Sequence, residues 1–272
     1  MGMGVPMVNA PMGGAAGGRL AAAVSAAGGL GMIGMGSSAT AALLSAELDE
    51  FGDAALPFGI GLVHWVMQDQ PELFDVALAA RPALLSVSFG ADFAWVARAH
   101  AAGLTVTTQV ATVAAARRAV DAGVDVLVVR GAEGGGHGEP TMGTLPLLAE
   151  VLDAVEVPVL AAGGISSARA VAAVLAAGAA AAWVGTAFAV CAEALTPEPA
   201  RAALIAGTDT ELTSAYDIAA GYRWPADIPE RVLRGSPVNA GQGIGSVRVR
   251  ATAAEVMASL ADGAAELLSR WH

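Results

Sequence analysis

Residues 158–186 read PVLAAGGISSARAVAAVLAAGAAAAWVGT and contain one complete strand–helix–strand unit. Pro158–Ala162 is a short apolar run of the kind that forms a buried strand, and Gly163-Gly164 ends it. Ser166–Ala177 has the composition of a packed helix, and Ala180–Gly185 is a second strand run. Apolar strands separated by a helix predict a parallel sheet with helices on its faces.

The same alternation runs along most of the chain and predicts eight strand–helix steps. The predicted strands are Val5–Ala10, Leu30–Gly34, Phe58–Leu62, Ala83–Val87, Leu104–Gln109, Val124–Arg130, Pro158–Ala162 and Ala180–Gly185. Eight such steps in 272 residues favour a closed (β/α)8 TIM barrel of the α/β class. An open doubly wound sheet is the structural alternative.

After Cys191 the pattern changes. Thr196–Arg250 is rich in Pro, Gly, Tyr and Trp without a regular period, which predicts an irregular tract, and Ala251–Trp271 predicts a terminal helix. The sequence therefore predicts two parts, a barrel over residues 1–195 and a C-terminal extension over residues 196–272. We expect the extension to cover part of the barrel mouth and its last helix to pack on the barrel.

Composition and charge exclude several classes of protein. Hydrophobic residues make up 55% and charged residues 14%, so a large buried core is expected. The net charge of −11, without a basic cluster, argues against a nucleic-acid partner. Cys191 is the only cysteine, so no disulfide framework is possible. Met1–Asn9 lacks a signal-peptide pattern, and the glycines within Val171–Val190 break that apolar stretch into barrel elements. We expect a cytoplasmic protein without a membrane partner; a homodimer stays open.

Glycine-rich loops follow several predicted strands, where a barrel builds its active site. These are Ala10–Gly14, Gly131–Gly138, Ala162–Ser166 and Gly185-Thr186. The last two follow strands seven and eight and each opens a helix, so main-chain N–H groups and helix N-termini meet at one place. This arrangement predicts a phosphate site, although glycines that only make tight turns would leave the same pattern.

With these loops the chain resembles the nitronate monooxygenase family, also called nitropropane dioxygenases. Val8–Met12, followed by Ala21–Val24 and Ala27–Gly31, is similar to the family's opening segment. Gly131–His137 resembles its Gly-x-Glu-Ala-Gly-Gly-His loop. Pro158–Ile165 and Gly185–Phe188 are similar to its Pro-Val-x-Ala-Ala-Gly-Gly-Ile and Gly-Thr-x-Phe elements. The likeness covers about residues 5–195, and the FMN-dependent enoyl-acyl-carrier-protein reductases share nearly all of these motifs.

The resemblance implies an FMN cofactor, with its phosphate on the loops after strands seven and eight and its ring along the first loop. The implied cofactor-binding residues are Ala10, Pro11, Met12, Gln109, Arg130, Gly135, Gly136, Ala162, Gly163, Gly164, Gly185 and Thr186. Arg130 stands where the family usually has Gln. It could pair the FMN phosphate or the N1–C2 region of the reduced ring, or it could disturb flavin binding. Gly59–Leu62 replaces the family's usual Gly-Val-Asn, so a polar contact is lost there.

His137 corresponds to the family's active-site histidine. It could hydrogen-bond a nitronate oxygen or take a proton from a neutral nitroalkane. Glu133, in the same loop, is a candidate to orient it, and the scattered histidines predict no metal site. The implied function is oxidation of alkyl nitronates, or similar small carbon acids, with O₂. The alternatives are an enoyl-thioester reductase using NAD(P)H, and a flavin-binding barrel without catalysis.

Overall fold

The computed structural model describes residues 2–52 and 55–270. Its strands are β1 (Met7–Asn9), β2 (Gly31–Gly34), β3 (Phe58–Val63), β4 (Leu84–Ser88), β5 (Val106–Val110), β6 (Val126–Arg130), β7 (Gly136–His137), β8 (Val159–Ala162), β9 (Ala181–Val184), β10 (Thr210–Thr213) and β11 (Glu230–Leu233). Its helices are α1 (Gly18–Ala26), α2 (Ala41–Phe51), α3 (His64–Asp69), α4 (Pro71–Ala79), α5 (Ala94–Ala101), α6 (Val113–Asp121), α7 (Thr144–Leu152), α8 (Ala168–Ala176), α9 (Thr186–Ala189), α10 (Glu198–Ala206), α11 (Ala215–Ala220) and α12 (Ala253–Ser269), with a 3-10 helix at Gln242–Ser246.

Eight parallel strands form the barrel, in the order β1-β9-β8-β6-β5-β4-β3-β2. A bridge between Val8 and Leu30 brings the first and last strands of this order together. The buried Asn9 side chain strengthens the closure, because its amide accepts from Met32 N at 2.8 Å and donates to Met32 O at 2.9 Å. The predicted (β/α)8 barrel is confirmed, and the open sheet is wrong.

The core lies in two layers, one inside the barrel and one between the strands and their helices. Inside lie buried side chains such as Leu30, Met32, Leu160 and Trp183. The outer layer needs close helix packing. A Cβ added at Gly31 would overlap the carbonyl oxygen of Ala21 in α1, so glycine is what lets that helix approach β2.

Two parts of the chain contain more regular structure than the sequence predicts. Helix α3 was not predicted, because it is only six residues long and directly follows β3. Residues 196–250 were predicted to be irregular, which is wrong in part, since they contain α10, β10, α11, β11 and the 3-10 helix. The terminal helix is confirmed as α12, which packs on α8 and α1; its predicted end at Trp271 lies outside the described residues.

Residues 210–233, which we call the cap, join the barrel through a small antiparallel sheet. In it β11 pairs with β10 on one side and with β7 on the other, so that Glu230 lies opposite His137. The Trp224 indole N–H donates to Ser37 Oγ at 2.9 Å and ties the cap to the loop after β2. None of the helices in residues 2–52 and 55–270 has the length and apolar character needed to cross a membrane.

Candidate active site

One cavity of about 680 Å³ lies at the carboxyl ends of the barrel strands. Every site residue predicted from the sequence lines it: Ala10, Pro11, Met12, Gln109, Arg130, Gly135, Gly136, His137, Ala162, Gly163, Gly164, Gly185 and Thr186. These residues come from five separate loops or strand ends, and the parallel barrel brings them together because all its strands end at the same rim.

The loops after β8 and β9 offer main-chain donors to this cavity. Among the described residues, no hydrogen bond uses the N–H groups of Gly164, Gly185 or Thr186. Gly163 and Gly164 have φ angles of 118° and 66°, a left-handed backbone that glycine adopts without strain. Free N–H groups on a glycine turn and at a helix start are the donor set that a phosphate uses. The loops therefore fit a phosphate group.

The first loop packs tightly against β2 and β3. A Cβ at Gly61 would overlap the side chain of Pro11, and a Cβ at Gly34 would overlap the main chain at Pro11 and Met12. The two glycines therefore set how closely the Pro11 segment lies against the barrel. Gln109, at the end of β5, lines the same cavity and is half-buried.

Arg130, at the end of β6, holds the glycine loop that carries His137. Its buried guanidinium donates to the carbonyl oxygens of Gly134 at 2.8 Å, Gly136 at 2.9 Å and Gly135 at 3.2 Å. Burial and, to a smaller extent, the nearby Arg231 lower the pKa of this guanidinium to about 10. The group stays charged at neutral pH, and its positive charge faces loop carbonyls within the protein.

His137 is fixed by two side chains of the cap. Its Nε2 lies 2.8 Å from Asp217 Oδ2, and its ring stacks on Trp224 with centroids 3.5 Å apart and an interplanar angle of 7°. Burial lowers the pKa of the imidazole, while the hydrogen bond to Asp217 acts in the opposite direction. The histidine is therefore held mainly neutral near pH 7, in a single orientation.

Glu133 does not orient His137, so that sequence interpretation is wrong. Its carboxylate accepts hydrogen bonds from Thr144 N at 2.9 Å and Thr144 Oγ1 at 2.9 Å, at the start of α7. The partner is Asp217, 80 residues from His137 along the chain. No spacing rule in the sequence links the two, because their contact depends on the pairing of β7 with β11.

Glu230 completes the polar cluster around His137. Burial and the neighbouring Asp217 raise the pKa of its carboxyl to about 7. His137, Asp217 and Glu230 each bring one ligand atom within 4.8 Å of the others, a donor set that a cation could also use. The prediction of no metal site stays a prediction.

Aromatic side chains form the cap side of the cavity. The ring centroids of Phe89 and Trp224 lie 4.9 Å apart, and Trp65 contacts Trp224 at 5.9 Å. Tyr216 and Tyr222 also line the cavity. Trp224 lines it as well, so all three aromatic residues of the cap face the cavity and do more than pack the cap on the barrel.

Comparison with known proteins identifies the family. Residues 65–222 match the nitronate monooxygenase family. A nitronate monooxygenase from Paraburkholderia phytofirmans is 31% identical, over 79% of this chain and 72% of that protein. The chain belongs to the nitronate monooxygenase family.

Two further relatives extend the comparison. A nitroalkane oxidase from Streptomyces ansochromogenes is 28% identical, with a TM-score of 0.85 over 100% of this chain and 99% of that one. A (3aS,4S,5R,7aS)-5-hydroxy-7a-methyl-1-oxo-octahydro-1H-indene-4-carboxyl-CoA dehydrogenase from Rhodococcus jostii is 33% identical over 89% of this chain. The chain spans 66% of the length of the Rhodococcus protein.

Nitronate monooxygenases are flavoenzymes, and this chain differs from the family's usual residues at two positions in the cavity wall, Gly61 and Arg130. Gly61 is required by the close approach of Pro11. The contacts of Arg130 with the loop carbonyls use Nη2, with Nη1 3.5 Å from Gly131 O, so the flavin contacts suggested for Arg130 from the sequence stay predictions. Both departures lie in the wall of the cavity and preserve its shape.

Proposed function

We propose that this protein is an FMN-dependent oxidoreductase that oxidises alkyl nitronates, or similar small carbon acids, with O₂. The observation that carries the proposal is the convergence of the glycine loops and His137 on one cavity. A cavity of about 680 Å³ has the size of a cofactor and small-substrate site. Its wall combines a few polar groups with an aromatic face, as such sites require.

The residues of the cavity fit FMN. Gly164, Gly185 and Thr186 would hold the phosphate through their free N–H groups, and Ala10–Met12 would lie along the ring. When bound, FMN supplies the chemistry of accepting electrons from the substrate and passing them to O₂. The protein has to bind the substrate, orient it and exclude water.

His137 would act on the substrate. A nitronate is already an anion, and the positive field of the nearby Arg130 would hold it. A neutral nitroalkane must first lose a proton, and a half-buried, neutral imidazole is suited to accept it. The apolar and aromatic remainder of the wall favours small organic substrates.

A second candidate function is that of an enoyl-thioester reductase, which acts on a thioester substrate and uses NAD(P)H. The 33% identity to the Rhodococcus protein, whose name specifies a carboxyl-CoA substrate, supports it. The two candidates differ in what reduces the flavin. Nitronate would do so directly, whereas the reductase needs a pyridine nucleotide.

The experiment begins with the purified protein, which should be yellow with the absorption spectrum of FMN. Under anaerobic conditions an alkyl nitronate should bleach the flavin and NAD(P)H should leave it oxidised. The reverse result would favour the thioester reductase, and colourless protein that cannot be reconstituted would exclude both candidates.

His137→Ala should retain the flavin and lose about 10²-fold in turnover of a neutral nitroalkane. The matched control is His100→Ala. His100 lies on α5, its Nε2 is 3.1 Å from Asp125 Oδ2, and it does not line the cavity. Equal turnover in both variants would remove His137 from the reaction.

A further inference from the structure

Two carboxyl groups stand behind His137, and both come from the cap. Glu230 lies directly opposite His137 in the antiparallel pairing of β11 with β7, so their side chains point to the same face of the sheet. Asp217, on α11, reaches the same place and lies 2.8 Å from His137 Nε2. The side chains of His137 and Asp217 are only 13% and 8% exposed.

The hydrogen bond to Asp217 determines which imidazole nitrogen is free. A carboxylate only accepts, so Nε2 must carry the proton in the neutral ring. Nδ1 then keeps its lone pair and is the basic nitrogen. Stacking on Trp224 restrains the ring plane, and the two contacts together leave one tautomer and one orientation.

A negative charge on both Asp217 and Glu230 would be unfavourable, because the two carboxyl groups are buried and close together. They lie within the 4.8 Å cluster, and Glu230 Oε1 is buried without a hydrogen-bond partner among the described residues. At such a distance in a buried site, the charge on Asp217 disfavours a second charge on Glu230. Arg130 is the cation that acts on the cluster from the barrel side. A proton on Glu230 leaves one negative charge beside His137.

We infer that Asp217 is a positioning residue that holds His137 with Nδ1 as the base, and that Glu230 carries the proton that leaves the carboxyl pair singly charged. This rests on the proposed function and extends it to neutral nitroalkanes. The substrate carbon–hydrogen bond breaks, its electron pair stays on the substrate as nitronate, and the proton goes to Nδ1. The charge on Asp217 stabilises the imidazolium that forms.

The cap is therefore part of the reaction centre. The barrel supplies His137 on β7, while Asp217, Trp224 and Glu230 all lie within residues 210–233. A barrel whose cap is displaced would keep its phosphate loops and lose the geometry of its base.

Asp217→Asn tests the inference in the flavin-loaded full-length protein. The Asn side chain has the same shape as the Asp217 side chain but carries no negative charge. We expect kcat/KM for a neutral nitroalkane to fall about 10²-fold, and that for the preformed nitronate to fall less than tenfold, because the nitronate needs no base. Glu230→Gln, which imitates the protonated carboxyl, should reduce nitroalkane turnover less than Asp217→Asn does. Asp209→Asn is the matched control, since Asp209 is an exposed carboxylate beside the cap that pairs with Arg234. Equal losses on both substrates in Asp217→Asn would overturn the positioning role.

A readout without substrate separates this inference from the proposed function. The chain has four histidines, so ¹⁵N-histidine NMR can follow each ring. The signal that is lost in His137→Gln identifies the ring of His137. The pKa of His137 should move down in Asp217→Asn, because the hydrogen bond and charge of Asp217 raise it in the wild type. The wild-type spectrum should show the Nε2–H tautomer and a second inflection near pH 7 from Glu230, absent in Glu230→Gln.

An Nδ1–H tautomer, or an unchanged pKa of His137 in Asp217→Asn, would overturn the inference whether or not nitronates are substrates. One divalent cation per chain in the purified protein, lost with Asp217→Asn, would also overturn it, because the three side chains would then bind a metal. If the NMR results hold and nitronates and nitroalkanes are inert, the proposed function fails while the geometry of the base stands.

Discussion

The phosphate-type loops after β8 and β9 and the surroundings of His137 lie in one cavity but are built in different ways. Each loop is made by a strand and the helix that directly follows it, within a few residues of chain. The surroundings of His137 join β6, β7, α11 and β11, and its partner Asp217 is 80 residues away. The first region is local and the second is assembled by long-range closure.

Because the two regions are built differently, we expect changes in one to affect mainly the stability of the fold and changes in the other to affect mainly the reaction. Most buried core residues belong to the strands and helices of the barrel, so a change there acts on the whole fold. The cap contacts the barrel through a short sheet and a few side chains, so a change there should leave the barrel intact and act on the reaction. Variants in the two regions can test this division.

The largest effect is expected at the barrel. Gly31→Ala should lower the free energy of unfolding by about 3 kcal/mol, because its Cβ would overlap the carbonyl oxygen of Ala21 and push α1 off β2. Denaturant unfolding measures the change. Gly4→Ala, where the nearest atom to the new Cβ is Gly28 O at 3.9 Å, is the control and should change little. Equal stability of the two variants would show that α1 can move away from β2 without lowering the free energy of unfolding.

Arg130→Gln should have the next largest effect, because Arg130 belongs to the barrel and holds the loop of the reaction centre. Family resemblance alone predicts that the variant keeps or tightens FMN binding. We expect a loss of about 2 kcal/mol in unfolding free energy, since the shorter and uncharged Gln side chain does not reach the carbonyls of Gly134, Gly135 and Gly136 that the buried guanidinium holds. Unfolding and flavin titration check both expectations. Unchanged stability with tighter flavin would favour the family-based expectation.

Trp224→Ala should mainly affect turnover. Loss of the ring stacked on His137 and of the bond to Ser37 should lower kcat/KM about tenfold, equivalent to about 1.4 kcal/mol in the transition state. Thermal unfolding of the barrel should change little. Ile218→Ala, an exposed position on α11, is the control. A large loss of stability with normal turnover would show that Trp224 only packs.

The smallest effect is the pH dependence of stability from Glu230. Its folded pKa, about 7, lies above the ordinary value of 4.5, so the folded state binds the proton more tightly than the unfolded chain. The free energy of unfolding should therefore fall as the pH rises from about 4.5 to about 7. Glu230→Gln should remove that decline. The comparison needs denaturant curves at several pH values, and an identical slope in both proteins would contradict it.

Much of the barrel could be predicted because its signals are local. Apolar runs of four to eight residues, followed by glycine and a helical segment, predicted the eight strands to within a few residues. The short elements α3 and β10 have no comparable period of apolar residues and were not predicted. The positions of Gly163, Gly164, Gly185 and Thr186 followed from the strands that precede them.

The sequence by itself determined the barrel, the glycine loops and the placing of His137 at the carboxyl rim, because periodicity and chain order are enough to bring strand ends to one rim. Only the tertiary structure decided what surrounds His137. Asp217, Trp224 and Glu230 carry no spacing that marks them, and Arg130 shows its role only where the loop carbonyls fold around it. Contacts between distant segments depend on how the chain closes, and no local pattern records that closure.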